Sequence, residues 1–316
     1  MFPKIIYPME PQSSEVVPTD ANYLHSVKWD GVRQLVFVSQ EGVRIQNRQT
    51  HDRTSTYPEL HQLKQISNGK EMVFDGEVIS LKDGKPNFSK VMKRDFVRSE
   101  AVAKKLNKTY PITYMIFDLL YIDGKNLMQR TLGERLELLQ QVIQEQNENI
   151  QIVSHINNGE ALYQTTQSIG LEGIVSKHKE SFYHQGEKRK DWLKIKHIKD
   201  INVVIGGYTV KNELLNSLAV GVYHQVEGIN HRKFIYIGNV STGLNMQEIR
   251  LLNQELKKVH VLTSPFVNYK KDKLNQYWVE PMFTLKVNYL EFTDEGRLRH
   301  PTIQGFLTIP AQDCIL

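Results

Sequence analysis

The sequence is poor in cysteine and has no long apolar run. Cys314 is the single cysteine among 316 residues, which excludes internal disulfides and thiolate metal clusters. No apolar stretch approaches the roughly 20 residues that a membrane-spanning helix needs. The first eleven residues hold one lysine and no apolar core, so we do not expect them to act as a secretory signal. These absences predict a cytosolic protein that has no membrane partner.

Glycine-rich phosphate loops are missing, and neither charge sign dominates. Without a Walker-type or Rossmann-type motif, other polar groups must hold any nucleotide. The net charge is +5, and most of the basic excess lies before residue 200. Basic clusters suit the phosphate backbone of nucleic acids, although a solvated helix face is the alternative for each of them. One cluster comprises Lys90, Lys93, Arg94, Arg98, Lys104, Lys105 and Lys108, and the other is Lys188-Arg189-Lys190.

Hydrophobic periodicity divides the chain into two parts. Strand and helix patterns are mixed up to about residue 197, after which short β-rich segments with glycine turns are typical of a small β-barrel. We therefore predict two domains, 1–199 and 200–316. Strands are predicted at 33–38, 43–46, 72–80, 112–122, 171–177, 191–197, 201–210, 217–224, 233–240 and 282–291. Helices are predicted at 58–66, 88–108, 131–144, 159–168 and 246–258. Charged residues are expected to interrupt two of the strands, at Asp75-Gly76-Glu77 and at Asp118.

The segment Lys28–Arg33 (Lys-Trp-Asp-Gly-Val-Arg) places an amine beside a carboxylate, a glycine and an arginine. Lysine is almost fully protonated at neutral pH, so a nucleophilic lysine needs a desolvated pocket or neighbouring cations. Taken alone, the segment fits an ordinary solvated Asp-Gly turn equally well. Residues elsewhere in the chain must decide between these interpretations.

Downstream residues offer the groups that such a pocket needs. Lys194 and Lys196 lie two apart on a predicted strand, so their side chains point to the same face. Two adjacent ammonium groups repel each other unless an anion lies between them, so the pair indicates a phosphate site. The alternative interpretation is an exposed basic edge strand. Glu77 and Glu172 supply carboxylates of the kind that bind Mg²⁺ together with phosphate oxygens. The set indicates a site for a phosphate-bearing ligand.

Successive motifs run through nearly the whole chain. The motifs of the first part are Lys28–Arg33, Arg48, Asp75–Glu77, Tyr114–Asp118, Glu172–Lys177 and Trp192–Lys196. The motifs of the second part are Val204–Tyr208, Gly221–Tyr223, Tyr236–Gly243 and Arg297–Pro301. Their order and spacing resemble those of ATP-dependent DNA ligases, and in particular the ligase module of bacterial non-homologous end-joining ligases of the D type. The resemblance implies an α+β nucleotidyltransferase (adenylation) domain with mostly antiparallel sheets, followed by a C-terminal OB-fold β-barrel.

The same resemblance implies a reaction in three steps. Lys28 attacks the α-phosphate of ATP, AMP then passes to a DNA 5′-phosphate, and a 3′-hydroxyl finally displaces AMP to seal the nick. Lys194 and Lys196 would act with Mg²⁺ or Mn²⁺ on the α-phosphate and favour the neutral amine of Lys28. Glu77 and Glu172 are the expected metal ligands, and Glu77 is also a candidate for the ribose. The other expected ATP-binding residues are Arg33, Arg48, Phe117 and Lys177, with Phe117 stacked on adenine and the two arginines on ribose and the DNA 5′-phosphate.

Two positions depart from the pattern of these ligases. Ser26 stands two residues before the lysine, where the family usually has a glutamate that helps to recognise adenine. The family's final Arg-x-Asp-Lys motif, which orients pyrophosphate, is replaced by the segment Gly305–Pro310. We therefore hypothesise that the first step is slow, or that another residue or a partner supplies the missing positive charge.

Two alternative functions stay open at this point. An RNA ligase or a capping-type nucleotidyltransferase shares the lysine chemistry, and a decayed ligase fold could serve as a non-catalytic clamp on DNA ends. For the ligase, the expected partners are nicked double-stranded DNA and, from resemblance alone, Ku or other end-joining proteins. No polymerase or nuclease module is expected in the chain. We expect a monomer in the bacterial cytosol or nucleoid.

Overall fold

The computed structural model describes residues 2–225, 232–269 and 276–316. Its contacts divide the chain into two compact units, Met1–His197 and Ile198–Leu316. This division lies close to the boundary predicted at 199/200. Among the described residues, no helix is both long enough and apolar enough to cross a membrane.

The first unit combines two β-sheets, a short hairpin and several helices. Its strands are β1 (Glu10–Ser13), β2 (Tyr23–Val27), β3 (Val32–Ser39), β4 (Gly42–Asn47), β5 (Met72–Ile79), β6 (Leu81–Lys82), β7 (Lys85–Pro86), β8 (Thr113–Ile122), β9 (Lys125–Asn126), β10 (Ile150–Ile152), β11 (Gly173–His178) and β12 (Lys188–Lys196). A 3₁₀ turn at Pro58–Gln62 runs into α1 (Leu63–Ile66), and the further helices are α2 (Phe88–Asp95), α3 (Glu100–Leu106), α4 (Leu132–Val142) and α5 (Gly159–Ser168).

The larger sheet has the strand order β10-β8-β5-β3-β4, with β9 paired to β8. Its pairs are antiparallel apart from β10, which runs parallel to β8. β3, β5 and β8 are buried along most of their length, as central strands are when both faces of a sheet are covered. The main apolar core of the unit lies on this sheet. Arg33 on β3 stands opposite Glu77 on β5, close to one end of both strands.

The smaller sheet has the strand order β1-β12-β11-β2. β11 is antiparallel to both β2 and β12, and β1 joins β12 in parallel. β2 belongs to this sheet, whereas β3 belongs to the larger one. The four residues 28–31 therefore connect the two sheets, and they include the candidate lysine.

The two strands predicted to be interrupted by charged residues are continuous, so that prediction was wrong. Asp75 on β5 and Asp118 on β8 are fully buried, and each binds both nitrogens of an arginine fork. Arg33 donates to Asp75 at 2.9 and 2.6 Å, and Arg135 of α4 donates to Asp118 at 2.7 and 2.8 Å. These ion pairs compensate for the desolvation of the carboxylates. Both aspartates can therefore stay buried within continuous strands.

The second unit is an OB-fold β-barrel, as the sequence predicts. Its longest strand, Lys199–Lys211, pairs over its first half with Thr284–Tyr289, and over its second half with Gln276–Val279. The opposite edge of this long strand pairs with Leu214–His224, and this double use of one bent strand is how a small barrel closes. The strands are β13 (Lys199–Lys211), β14 (Leu214–His224), β15 (Lys233–Val240), β16 (His260–Val261), β17 (Gln276–Val279), β18 (Thr284–Tyr289) and β19 (Thr302–Leu307), and the helix is α6 (Met246–Lys258). The sequence did not predict β16, β17 and β19.

The single cysteine lies inside the second unit. Cys314 is fully buried and belongs to a cluster that includes Phe234, Phe266 and Trp278. Burial, with a smaller effect of Asp313, raises the pKa of its thiol to about 11.

Candidate active site

A pocket in the first unit collects most of the residues that the motifs single out. Side chains from both sheets and from the connector at 28–31 line it. The lining residues are Pro11, Ser26, Val27, Lys28, Trp29, Arg33, Glu77, Phe117, Val153, Val175, Lys177 and Trp192. The pocket therefore contains five of the predicted site residues together with both tryptophans of this unit.

The connector that carries Lys28 is held tightly against both sheets. Its first residue continues the pairing of β2, because the backbone N–H of Lys28 donates to Gly173 O at 2.9 Å. Gly31 then passes so close to β5 that an added Cβ would lie 2.2 Å from Val78 O and 3.0 Å from the Glu77 side chain. Only glycine permits this approach. The Asp-Gly pair is thus part of a packed site and not a solvated turn.

The smaller sheet presents three rows of side chains on one face. In the first row Gly173 pairs with Lys196, beside Lys28. In the second row Ser26 and Lys194 flank Val175. In the third row Leu24 and Trp192 flank Lys177. Because strand residues two apart point to the same face, the predicted placement of Lys194 and Lys196 on one face is confirmed.

Glu172 bridges the two lysines of the first row. Its Oε2 lies 2.6 Å from Lys28 Nζ, and its Oε1 lies 2.8 Å from Lys196 Nζ. Burial alone would raise the pKa of Glu172, but Lys28 and Lys196 hold it below the ordinary value. The carboxylate thereby keeps two ammonium groups close together in a partly desolvated place.

Lys194 lies beside this bridge and has no carboxylate of its own within ion-pair distance in the described part of the chain. Partial burial lowers its pKa, and the positive charges of Lys196, Lys188 and Lys28 lower it further, against a weaker effect of Glu10. An anion near Lys194 would relieve this repulsion. The first two rows together therefore form a cationic face suited to a phosphate.

The opposite wall of the pocket carries Glu77 and Arg33. Burial raises the pKa of Glu77 to about 8, although the charges of Lys28 and Arg33 oppose the increase. The guanidinium of Arg33 is engaged with the protein: besides Asp75 it donates to Met9 O at 2.6 Å and to Tyr183 Oη at 3.3 Å. These contacts fix Arg33 in the pocket wall.

Lys177 lies between two aromatic rings. Its Nζ is 4.0 Å from the centroid of Phe117 and 3.9 Å from that of Trp192. The side chain is 4% exposed, and its Nζ has no hydrogen-bond partner among the residues that the structure describes. Burial lowers its pKa to about 7, although Asp118 and Asp75 oppose the decrease. Lys177 is thus a buried donor at the pocket, and the described part of the chain offers it no acceptor.

Arg48 is not among the residues that line the pocket. Its guanidinium pairs with Glu10 at 2.6 Å, and its side chain is 63% exposed. The structure therefore does not bring Arg48 together with the other predicted ATP-binding residues. An exposed arginine near the site remains able to meet a ligand that arrives from solvent.

Comparison with known proteins decides the family. The family model described as ATP dependent DNA ligase domain matches residues 10–196, and the one described as ATP dependent DNA ligase C terminal region matches residues 211–307. The first match alone covers more than half of the chain. The chain belongs to the ATP-dependent DNA ligases. The family resemblance of its motifs is thereby confirmed.

Similar proteins place the chain beside D-type ligases. It is 30% identical over 287 residues to the multifunctional non-homologous end joining DNA repair protein LigD of Mycobacterium tuberculosis, a match that covers 88% of the chain and 35% of LigD. The chain thus spans about a third of the length of these curated relatives. It is 31% identical over 194 residues to the SPbeta prophage-derived DNA ligase-like protein LigB of Bacillus subtilis, covering 61% of the chain and 68% of LigB.

Solved ligase structures share the fold. The ligase domain of M. tuberculosis LigD is 27% identical and gives a TM-score of 0.56, with 98% of both chains covered. The mycobacterial DNA ligase D complexed with ATP and MES is also 27% identical, with a TM-score of 0.57 and 98% of both chains covered. These neighbours support the assignment of a nucleotidyltransferase domain followed by an OB-fold domain.

The carboxylates of this ligase site fit a divalent cation. Mg²⁺ commonly uses one or two protein carboxylates together with substrate phosphates and waters, so the absence of any cluster of three or more ligating side chains from the described residues does not conflict with it. Glu77, whose pKa is raised to about 8, is short of compensating positive charge, and a cation would supply it. Glu172 would have to release Lys28 or Lys196 in order to bind a metal.

Sequence reasoning missed one residue that supports the site and one that lies near it. Tyr183 donates to Asp75 Oδ2 at 2.7 Å and so helps to fix the arginine fork of Arg33. Burial and the charge of Lys177 lower the pKa of His155 to about 4, and its Nε2 has no hydrogen-bond partner within residues 2–225, 232–269 and 276–316. Neither residue belongs to a motif. Tyr183 is far in sequence from Asp75, and His155 is far from Lys177, so no local pattern could have identified them.

Proposed function

We propose that this chain is an ATP-dependent DNA ligase that seals nicks between a 3′-hydroxyl and a 5′-phosphate through a lysyl-AMP and a DNA-adenylate. One observation carries the proposal: Lys28 lies in a pocket with its ammonium 2.6 Å from Glu172, which also binds Lys196 at 2.8 Å. A lysine held in this way beside further cations is placed for attack on a phosphate that the same cations neutralise.

In the first step the Nζ of Lys28 forms a bond to the α-phosphorus of ATP, and the bond between the α- and β-phosphates breaks to release pyrophosphate. Lys28 must first lose a proton and leave Glu172, because an ammonium group has no lone pair. Lys194 and Lys196 face the same side of the sheet and would neutralise the α-phosphate. In the later steps AMP passes to the DNA 5′-phosphate and leaves when the 3′-hydroxyl attacks.

The remaining pocket residues suit the nucleoside. Phe117 offers an aromatic surface for adenine, and Lys177 supplies a buried donor for an acceptor on the base. Glu77 would contact the ribose or the metal. Arg33 supports Glu77 from the pocket wall, and Arg48 would meet the nucleotide or the DNA only from its exposed position.

Glu77 and Glu172 would hold Mg²⁺ or Mn²⁺. When bound, the cation would neutralise charge on the phosphate oxygens and stabilise the leaving pyrophosphate. Glu172 would exchange an ammonium group for the metal, which would free Lys28 from its ion pair. Glu77 would lose its proton on binding, since its pKa of about 8 leaves it largely protonated at neutral pH.

The partners follow from this activity. The substrate would be nicked double-stranded DNA in repair or end joining, and Ku or other end-joining proteins would be partners if double-strand ends are the target. With chromosomal DNA as the substrate, the protein would act in the bacterial cytosol or nucleoid. We propose a monomer, because all groups proposed for adenylation come from one chain.

A mass measurement tests the proposal. The full chain is incubated with ATP and Mg²⁺, and the intact mass should increase by one AMP, with no increase in Lys28→Ala. Subsequent addition of nicked DNA should release the adduct and produce sealed strands. An absence of adduct under all conditions would favour the non-catalytic clamp. Preference for GTP, or for nicked RNA, would favour the RNA ligase or capping-type alternative.

A further inference from the structure

A short basic hairpin follows the strand that carries Glu77. β6 and β7 pair directly, and the turn residues Asp83 and Gly84 have φ values of 53° and 76°. Two positive φ values at the tip indicate a type I′ turn, which matches the twist of paired strands. Lys85 is exposed on this hairpin. The turn therefore presents Lys85 on a defined support.

The hairpin reaches the neighbourhood of the reactive site. A Cβ placed on Gly170 would lie 3.5 Å from Lys85 Nζ. Gly170 precedes Glu172 by two residues, which span at most about 7 Å. The ammonium of Lys85 thus lies within roughly 12 Å of the Glu172 backbone. At a rise of about 3.4 Å per nucleotide along one strand, this distance corresponds to three or four nucleotides.

Helix α2 extends the same surface. Lys90 Nζ donates to Leu81 O at 3.2 Å and fastens the helix to the hairpin. Ser89, Lys93 and Phe96, spaced at i, i+4 and i+7, are exposed on one side of α2 and its cap. Phe96 is 71% exposed. Residues 81–86 together with Ser89, Lys93 and Phe96 are called the hairpin–helix surface.

Some of the other basic residues of the predicted cluster are engaged with the protein. Arg94 is fully buried and pairs with Glu59 at 2.8 Å, so its assignment to a phosphate-binding cluster was wrong. Lys104 pairs with Glu100 at 2.7 Å. The acidic residue of the surface is Asp83 at the hairpin tip, whereas Asp95 is buried and binds Tyr57 Oη at 2.8 Å. Lys82, Lys85 and Lys93 are the exposed lysines of the surface, and Lys85 and Lys93 are the two that the experiment below replaces.

We propose that the hairpin–helix surface binds the DNA backbone beside the nick, with Lys85 and Lys93 on phosphates and Phe96 against the sugars. The inference rests on the proposed ligase function, since DNA must reach Lys28 for the second step. Charge complementarity selects the occupant: exposed lysines and an exposed aromatic ring, on a surface whose hairpin lies within roughly 12 Å of the Glu172 backbone, suit a polyanionic strand.

Salt dependence of binding tests the proposal on the full chain. Charge reversal in Lys85→Glu/Lys93→Glu should reduce the slope of log affinity for nicked duplex against log salt by about 2, because each phosphate contact contributes about 0.9. The control Lys125→Glu/Lys70→Glu makes the same change of net charge. Its exposed lysines lie on β9 and just before β5, at the end of β5 opposite to Glu77, and should leave the slope within about 0.5 of the unchanged protein.

A second variant separates apolar from ionic contact. Phe96→Ala should weaken binding roughly three- to ten-fold without altering the slope, because no phosphate contact is lost. Equal slopes in Lys85→Glu/Lys93→Glu and in the control would overturn the proposal. If the reversed variant misfolds by circular dichroism, Lys85→Ala/Lys93→Ala replaces it under the same criterion. Adenylation of Lys28 is measured in parallel. If the unchanged protein is not adenylated, the proposed function is contradicted. If it is adenylated but the salt slope of Lys85→Glu/Lys93→Glu equals that of the unchanged protein, this inference alone is contradicted.

Discussion

Lys177 is a buried lysine whose charged form lowers the free energy of unfolding. Its pKa falls from 10.5 to about 7 on folding, so the unfolded chain binds one more proton between these values. Stability therefore rises with pH across this window, and the full cost is present below about pH 7. An aromatic cage around an ammonium compensates for part of the lost hydration but supplies no counter-charge.

We predict that Lys177→Met raises the free energy of unfolding relative to the unchanged protein, most strongly near pH 7. The gain should shrink as the pH approaches 10, because the unfolded chain then also prefers the neutral amine. Denaturant unfolding at several pH values measures it. Lys125→Met, at an exposed position, is the control and should show no such trend. A pH-independent difference for Lys177→Met would show that the amine is not neutralised on folding.

The charge of Glu172 should affect the rate of Lys28 adenylation. Glu172→Gln keeps the shape of the side chain but removes the charge that holds Lys28 and Lys196 together. We expect Lys28 adenylation to slow by about 10²–10³-fold, comparable to the loss of one strong electrostatic contact at a reaction centre. Rapid-quench measurement with labelled ATP tests this. Glu160→Gln on the exposed part of α5 should react at the normal rate, and equal rates in both variants would contradict the role of Glu172.

At the scale of elements, the connector at 28–31 joins the two sheets, and Gly31 packs closely against β5. We predict that Gly31→Ala lowers the free energy of unfolding by about 1–3 kcal/mol or more, since the added methyl overlaps Val78 O and must displace β5. Gly305→Ala, where no atom lies within 4 Å of the new Cβ, should change stability by less than about 0.5 kcal/mol. Chemical denaturation compares them. If Gly31→Ala left the free energy of unfolding unchanged, the connector could move away from β5 without loss of stability.

The elements show what local sequence can predict. Helix α4 begins as expected because Thr131 and Glu134 form a capping box between neighbours in sequence. The strands at Asp75 and Asp118 were wrongly predicted to break, because each aspartate depends on an arginine elsewhere in the chain. Arg94 was misassigned for the same reason. Burial of a charge is decided by distant partners, which periodicity does not reveal.

The candidate site also combines features set by neighbours in sequence with features set by distant residues. The shared face of Lys194 and Lys196 could be predicted, since strand alternation is a local property. The bridge through Glu172 and the fork on Asp75 could not, because they depend on sheet pairing between residues more than 40 positions apart. Family resemblance supplied the missing information, since order and spacing of motifs record which distant segments meet.

At the scale of the whole molecule, ligand binding should act on one unit. We predict that ATP with Mg²⁺ stabilises the first unit by about 2.7 kcal/mol at a concentration 100-fold above Kd. Trp278→Phe leaves Trp29 and Trp192, both in the pocket, as reporters of that unit, so thermal unfolding followed by tryptophan fluorescence measures the shift. ATP should give no shift in Trp278→Phe/Lys177→Glu, which places an acid in the pocket. A full shift there would mean that ATP binds elsewhere.

The buried cysteine has a practical consequence for all these measurements. With a thiol pKa of about 11 and no exposed surface, Cys314 forms almost no thiolate near pH 7, and thiolate is the form that reacts with maleimides and iodoacetamides. A cysteine introduced at an exposed position such as Lys85 would be the fast-reacting thiol of the folded chain. Fluorophores and cross-linkers could therefore be attached at chosen sites without first removing the natural cysteine.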